Sequence, residues 1–248
     1  MYQNERLDEI LKIITRYKYV TVKFLTDELH YSTATINRDL NILAEQKLIT
    51  RHYGGAELAD NKGVPLRFRH HKMRAAKNKL GKAAAELIGD GDTVFIDATT
   101  TTQCIAQYIT DKKDITVISN NMALIAYLSE YGVRCICLGG AVYEAPSMLC
   151  NMDTIEMASK YRADKHFFTS GGVTADGRII GGEAYALLRN AMTDNSEKSY
   201  FLVDHAKYEK PLGIRTWCTI GDISAVISDF DFPEETKEKY KSTEFITV

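Results

Sequence analysis

Leu7, Ile10, Leu11 and Ile14 recur at helical spacing between polar residues, which places them on one face of an amphipathic helix that Asn4 can cap. Tyr19-Val20-Thr21-Val22 reads as a brief extended piece, and Phe24, Leu25 and Leu29 as the apolar side of a second short helix. A sharp turn at His30-Tyr31 leads to Ser32, a good helix N-cap, and then to a third helix over residues 33 to 45. In that helix Ile36, Leu40 and Leu43 share one face, while Thr33, Ala34, Asn37, Arg38 and Asn41 share the other. Residues 48 to 56 follow as a small β-wing whose tip carries Gly54 and Gly55.

The period changes at about residue 83. Short apolar runs at 93 to 96, 115 to 118, 135 to 138, 166 to 168, 200 to 203 and 225 to 228 alternate with helical stretches such as 101 to 109, 121 to 131 and 183 to 193. Continuous apolar strands separated by helices predict a mainly parallel sheet covered on both faces. The expected organisation is a winged helix-turn-helix over residues 1 to 58, a basic linker with the start of a connecting helix over 59 to 82, and an α/β domain over 83 to 248.

Charge sharpens this division. Residues 1 to 82 hold 16 Lys or Arg against 9 Asp or Glu, and residues 83 to 248 hold 15 against 24, so a net charge of -2 conceals a basic front and an acidic remainder. Residues 61 to 82 alone carry eight basic residues and no acid. A front third of that sign suits a polyanion, and the basic run reads either as a solvated connector or as a strap along phosphates.

No apolar window reaches the roughly 20 residues of a membrane span, and the first residues lack a secretory pattern, so a cytoplasmic protein with no membrane partner is expected. The five scattered cysteines read as reduced thiols, and Cys135 and Cys137 lack a histidine at ligand spacing, so no metal is expected. No Gly-x-Gly-x-x-Gly follows a strand, and no cofactor is expected.

Two groups of residues carry candidate chemistry. On the third helix, small polar residues beside one arginine match what base edges of a major groove require, since Arg pairs with guanine and Asn with adenine. The candidate DNA contacts are Ser32, Thr33, Thr35, Asn37, Arg38 and Asn41 on that helix, with Arg51, His52 and Tyr53 on the wing.

The second group follows the strands, because open parallel sheets bind ligands beyond their carboxyl ends. Asp97 and Thr99, Thr100, Thr101 and Thr102 follow the first strand, and four hydroxyls with backbone N–H groups at a helix start suit a phosphate. Asn120, Gly139 with Gly140, Gly171, and Asp204 with Lys207 follow the next strands and complete one rim. There Lys207 supplies a point charge for phosphate, and Asp97 or Asp204 can accept from sugar hydroxyls.

Tyr31-Ser32-Thr33-Ala34-Thr35-Ile36-Asn37-Arg38-Asp39-Leu40 and Arg51-His52-Tyr53-Gly54-Gly55-Ala56 resemble the helix-turn-helix and wing of the DeoR family of sugar-metabolism regulators. That family reads approximately Val-Ser-x-x-Thr-Ile-Arg-Arg-Asp-Leu and Arg-x-His-Gly-Gly-Ala, so Tyr31, Asn37 and Tyr53 depart from it. The likeness continues through residues 90 to 97, the threonine run, Ser119-Asn120, Leu138-Gly139-Gly140 and residues 204 to 208.

The resemblance implies an effector domain similar to ribose-phosphate isomerase and glucosamine-phosphate deaminase folds. It also implies a repressor whose double-stranded DNA operator is released or held according to a small phosphorylated sugar at Asp97, Thr99 to Thr102, Asp204 and Lys207. A homodimer or homotetramer is expected, because one short recognition helix reads too few bases. The alternative is a sugar-phosphate isomerase or deaminase with an appended helical module.

Overall fold

The computed structural model describes residues 3–17, 19–59, 73–144 and 148–248, which form two compact units divided between Lys72 and Met73. The basic residues 61 to 72, among them Arg67, Arg69 and Lys72, lie outside the described residues. No helix among the described residues is long and apolar enough to cross a membrane.

Among its described residues the first unit packs three helices against a small sheet. Helix α1 (Gln3–Tyr17) buries Leu7, Ile10, Leu11 and Ile14, as its spacing requires. Strand β1 (Tyr19–Thr21) is followed directly by α2 (Val22–Leu29), so Val22 opens a helix instead of ending the extended piece. His30 takes the left-handed conformation with φ 56 and turns the chain into α3 (Thr33–Glu45). Strands β2 (Ile49–His52) and β3 (Gly55–Leu58) form the wing, and β3 lies between β1 and β2.

One contact in this unit could not be read from local spacing. Asp39 of α3 is completely buried, and its carboxylate accepts from Arg6 of α1, through Nε and, at 3.1 Å, through Nη2. The Arg6 guanidinium also lies 5.0 Å from the ring centre of Tyr31. The pair fixes the middle of α3 on α1.

The second unit is built on a seven-stranded sheet in the order β15-β14-β12-β9-β4-β5-β6, with every neighbouring pair parallel. Its strands are β4 (Thr93–Ile96), β5 (Thr116–Ser119), β6 (Arg134–Cys137), β9 (Ala163–Phe168), β12 (Ser196–Val203), β14 (Ala225–Ser228) and β15 (Glu244–Thr247). Val94, Ile96, Val117, Phe167, Tyr200 and Leu202 share one core with Leu80 and Ala84 of α4 (Arg74–Glu86) and with Leu124 and Leu128 of α5 (Met122–Glu130). Phe168, Phe201, Val203 and Val226 point into a second core on the opposite face. Covering both faces is what makes these strands continuously apolar.

Three features depart from the sequence expectation. Residues 73 to 82 belong to the second unit, because α4 buries Ala76, Lys77, Leu80 and Gly81 within it. A Cβ on Gly81 would come within 2.7 Å of the Cys104 backbone, so this helix is pressed against the segment after β4. That segment, Thr102–Tyr108, is a 3₁₀ helix rather than an α-helix from Thr101. Finally, the apolar runs understate β9 and β12, whose first halves carry Asp164, Lys165, Glu197 and Lys198, with Lys165 ion-paired to Asp92.

Short elements complete the unit. Strands β7 (Val142–Glu144) and β8 (Met148–Leu149) pair with each other, and β10 (Gly172–Val173), β11 (Arg178–Gly181) and β13 (Arg215–Thr219) form an antiparallel sheet. Helix α6 (Met152–Ala158) follows β8, α7 (Glu183–Asp194) follows β11 and packs against β9 and β12, and α8 (Glu234–Lys239) lies between β14 and β15 in sequence.

Removing one member of a buried ion pair strands the other without a counter-charge. Arg6→Ala is therefore expected to cost the first unit about 3 to 5 kcal/mol. Arg6→Met with Asp39→Leu, which removes both charges, should recover most of that loss. Chemical denaturation followed by circular dichroism tests this, and an Arg6→Ala loss below about 1 kcal/mol would show that the pair contributes little.

Candidate functional site

Two places gather the candidate residues. On α3, the Ser32 side chain accepts from the Thr35 backbone N–H at 3.2 Å and pairs with the Thr35 hydroxyl at 2.9 Å, so both are engaged in starting the helix. Thr33, Arg38 and Asn41 are exposed, and Asn37 is half-buried. The wing meets this face through Arg51 of β2. Its Nη1 donates to Asn41 Oδ1 at 2.8 Å and to the Asn37 carbonyl at 3.2 Å, and its Nη2 donates to Asn37 Oδ1 at 2.8 Å. His52 pairs with Glu57 across the hairpin at 2.9 Å, and Tyr53 is fully exposed at the tip beside Gly54, whose φ of +77 lets the hairpin turn.

The other place is the carboxyl edge of the seven-stranded sheet. Strand β9 lies between β4 and β12, so the threonine run after β4 and Lys207 after β12 are separated by one strand and are not on adjacent ones. Thr169, at the end of β9, bridges them. Its backbone N–H donates to Asp97 Oδ2 at 3.1 Å, and its hydroxyl accepts from Lys207 Nζ at 2.9 Å while donating to the Leu202 carbonyl at 2.6 Å.

The threonines do not present four open hydroxyls. Thr102 donates to Asp97 Oδ1 at 2.6 Å, Thr99 lies 3.2 Å from the same oxygen, and their hydroxyls are 2.6 Å apart. Thr100 accepts from Lys77 Nζ at 3.0 Å, which leaves the Thr100 hydroxyl proton to donate elsewhere. Thr101 Oγ1 is buried and has no hydrogen-bond partner. Among the described residues, the backbone N–H groups of Thr100 and Thr101 also have no acceptor.

The remaining rim residues divide. Asp204 caps the short turn that holds Lys207, with Oδ1 accepting from Ala206 N at 3.2 Å, while its buried Oδ2 has no partner. Gly171 is packed against the Leu212 carbonyl, which leaves no room there for a side chain. Gly139 and Gly140 are exposed, and Gly140 takes φ +129 beside Thr154 and Asn151 of the α6 start. Asn120 is completely buried. It donates to the Leu149 carbonyl at 2.7 Å and accepts from the Tyr185 hydroxyl at 3.2 Å, so it ties loops together beneath the rim.

Sequence reasoning missed Lys77, Thr169 and Tyr185. Lys77 sat inside a basic run that read as linker, although its i, i+3 and i+7 partners Leu80 and Ala84 marked it as the edge of an apolar face. Tyr185 of α7, buried beside this edge, also accepts from the Ala98 backbone N–H at 3.2 Å. A separate cavity of about 330 Å³ opens at the opposite, amino ends of β4, β9 and β12. Its lining of Asp164, Asp194 and Glu197 against Arg162 opposes a phosphate. Among the described residues no group of three or more His, Cys, Asp or Glu could hold a metal ion.

Comparison with known proteins accords with this division. A family model described as "DeoR-like helix-turn-helix domain" matches residues 6–62, and one described as "DeoR C terminal sensor domain" matches residues 72–230. The chain is 32% identical over 232 residues to the HTH-type transcriptional repressor GlcR of Bacillus subtilis (strain 168), covering 92% of this chain and 89% of that protein. It is 29% identical over 229 residues to the glycerol-3-phosphate regulon repressor of Escherichia coli (strain K12), covering 91% and 89%. A ribose 5-phosphate isomerase A from Methanocaldococcus jannaschii aligns with a TM-score of 0.42 at 16% identity over 56% of each chain.

Asp97 gives this edge a pH signature. Burial pushes its carboxyl up to about 7, against the opposing effects of the Thr102 hydroxyl, the Thr169 and Thr99 hydrogen bonds and the Lys207 charge. A raised folded-state value means that the folded protein holds this proton more tightly than the unfolded chain. The resulting stability is fully present below about 3.8 and is lost as the pH rises through about 7. Asp97→Asn should therefore gain melting temperature relative to the parent between pH 5 and pH 8. A difference that stays constant over that range in thermal unfolding would contradict the raised value.

Proposed function

Because this chain belongs to the DeoR family of transcriptional repressors, we propose that it represses a sugar-metabolism operon and that a phosphorylated sugar at the carboxyl ends of β4, β9 and β12 sets its hold on DNA. Its named relatives are repressors and not enzymes, which removes the isomerase alternative.

The observation that carries the effector reading is a pair of buried, unpartnered polar atoms, Thr101 Oγ1 and Asp204 Oδ2, at two ends of one edge. Each costs about 1 to 3 kcal/mol if left so, and a polyhydroxylated ligand offers both a donor and an acceptor. The backbone N–H groups of Thr100 and Thr101, the Thr100 hydroxyl and the ammonium groups of Lys77 and Lys207 would receive the phosphate. Asp204 would accept from a sugar hydroxyl, and Asp97 would hold the loop in shape.

Lys77 belongs to α4, the first helix of the sensor unit, so a ligand that draws on Thr100 and Lys77 acts on the helix nearest in sequence to the DNA-binding unit. The ligand shifts DNA affinity by binding one state of the repressor better than the other. The DNA partner is a double-stranded operator with paired half-sites, read by a homodimer or homotetramer in the cytoplasm.

Lys207→Ala is expected to weaken binding of the cognate sugar phosphate about 10- to 150-fold, the value of one charge-assisted hydrogen bond, and to leave DNA affinity without ligand almost unchanged. The dephosphorylated sugar should lose little. Calorimetric titration of both sugars into parent and variant measures this, and equal losses would move the phosphate elsewhere. On the DNA side, Arg38→Ala should cost about 1 to 3 kcal/mol on the preferred operator in a mobility-shift titration. Unchanged affinity in a folded variant would remove Arg38 from base reading.

A further inference from the structure

The wing arginine does more than sit beside the recognition helix. Arg51 spans one turn of α3 and holds the amide oxygens of both Asn37 and Asn41 at 2.8 Å, with the Asn37 carbonyl at 3.2 Å as a third acceptor. A guanidinium has donors only, so both amides must turn their oxygens toward Arg51 and their NH2 groups away from it. Among the described residues neither NH2 group has a hydrogen-bond acceptor.

This changes what the two asparagines can read. An asparagine that recognises adenine uses its oxygen to accept from N6 and its NH2 to donate to N7, so it needs both ends of the amide. Arg51 takes one lone pair of each oxygen and fixes the amide plane, so the NH2 ends lead; a leading donor meets two acceptors, N7 and O6, on guanine, or O4 of thymine, whereas adenine sets its N6 donor beside N7. We propose that Arg51 is a positioning residue that sets operator specificity by turning Asn37 and Asn41 into hydrogen-bond donors toward guanine or thymine, away from bidentate adenine recognition. The proposal rests on the reading of α3 as the groove-facing helix. It assigns Arg51 a role within the protein in place of a phosphate contact.

The test is selection of binding sites from a randomised duplex library by the full-length parent, Arg51→Ala, Arg51→Lys and Arg38→Ala. The parent should select guanine or thymine at the positions facing Asn37 and Asn41. Arg51→Ala should bind that site about 10-fold more weakly and shift its preference at those positions toward adenine, because the amides are released to rotate. Preference at the Arg38 position and the dependence of affinity on salt should stay as in the parent, and Arg51→Lys should fall between the two.

Should Arg51→Ala fail to fold, the parent's own selected bases still decide, since adenine at those positions overturns the proposal. A salt slope lower by about 1 with an unchanged base preference would overturn it as well, by making Arg51 a phosphate contact. If Arg38→Ala retains the parent's affinity and preference, the groove-facing reading of α3 fails and takes the proposal with it.

Discussion

A carboxylate buried at the carboxyl edge of a parallel sheet is an expensive object, and much of that edge follows from how Asp97 is accommodated. Its oxygens accept from Thr102, Thr99 and the Thr169 backbone, and these bonds bend the chain after β4 into a loop locked by its own hydroxyls. Desolvation still exceeds what they return, and the carboxyl is left near neutrality in pH. Through Thr169 the same group is linked to Lys207, so the ends of β4, β9 and β12 form one hydrogen-bonded edge.

The DNA-binding unit repeats this logic with different chemistry. Asp39 lies in the middle of α3 and faces inward, where Arg6 compensates it, while its neighbour Arg38 faces outward. Arg51 joins the wing to the outer face of the same helix. The helix is thus held from behind by one guanidinium and from the side by another. Side chains presented from such a support keep their orientation, as the direct readout proposed for this face requires.

What could be read from the sequence was whatever repeats locally. The four apolar positions of α1, the inner face of α3 and the paired wing strands follow from periods of 3.6 and 2, and the buried runs of β4 and β14 from their continuous apolar character. The strand-end placement of the rim followed from topology alone. Contacts between distant positions were hidden. Arg6 meets Asp39 across 33 residues, Arg51 meets Asn37 across 14, and Lys77 meets Thr100 across 23. Asn120 and the threonine hydroxyls read as open groups because burial is a property of the folded chain. The small sheet of β10, β11 and β13 escaped notice because its strands are short and mix Arg, Gly and Thr with apolar residues.

The central claim is that the carboxyl edge of the seven-stranded sheet is the effector site. Peptide-resolved hydrogen exchange on the full chain, with and without a sugar phosphate that raises its melting temperature, tests this directly. The account predicts slower exchange in residues 97 to 104, 169 to 172 and 204 to 208 on binding, with α4 protected around Lys77. Protection centred instead on residues 162 to 164 and 194 to 197, around the cavity at the opposite end of the strands, would contradict it.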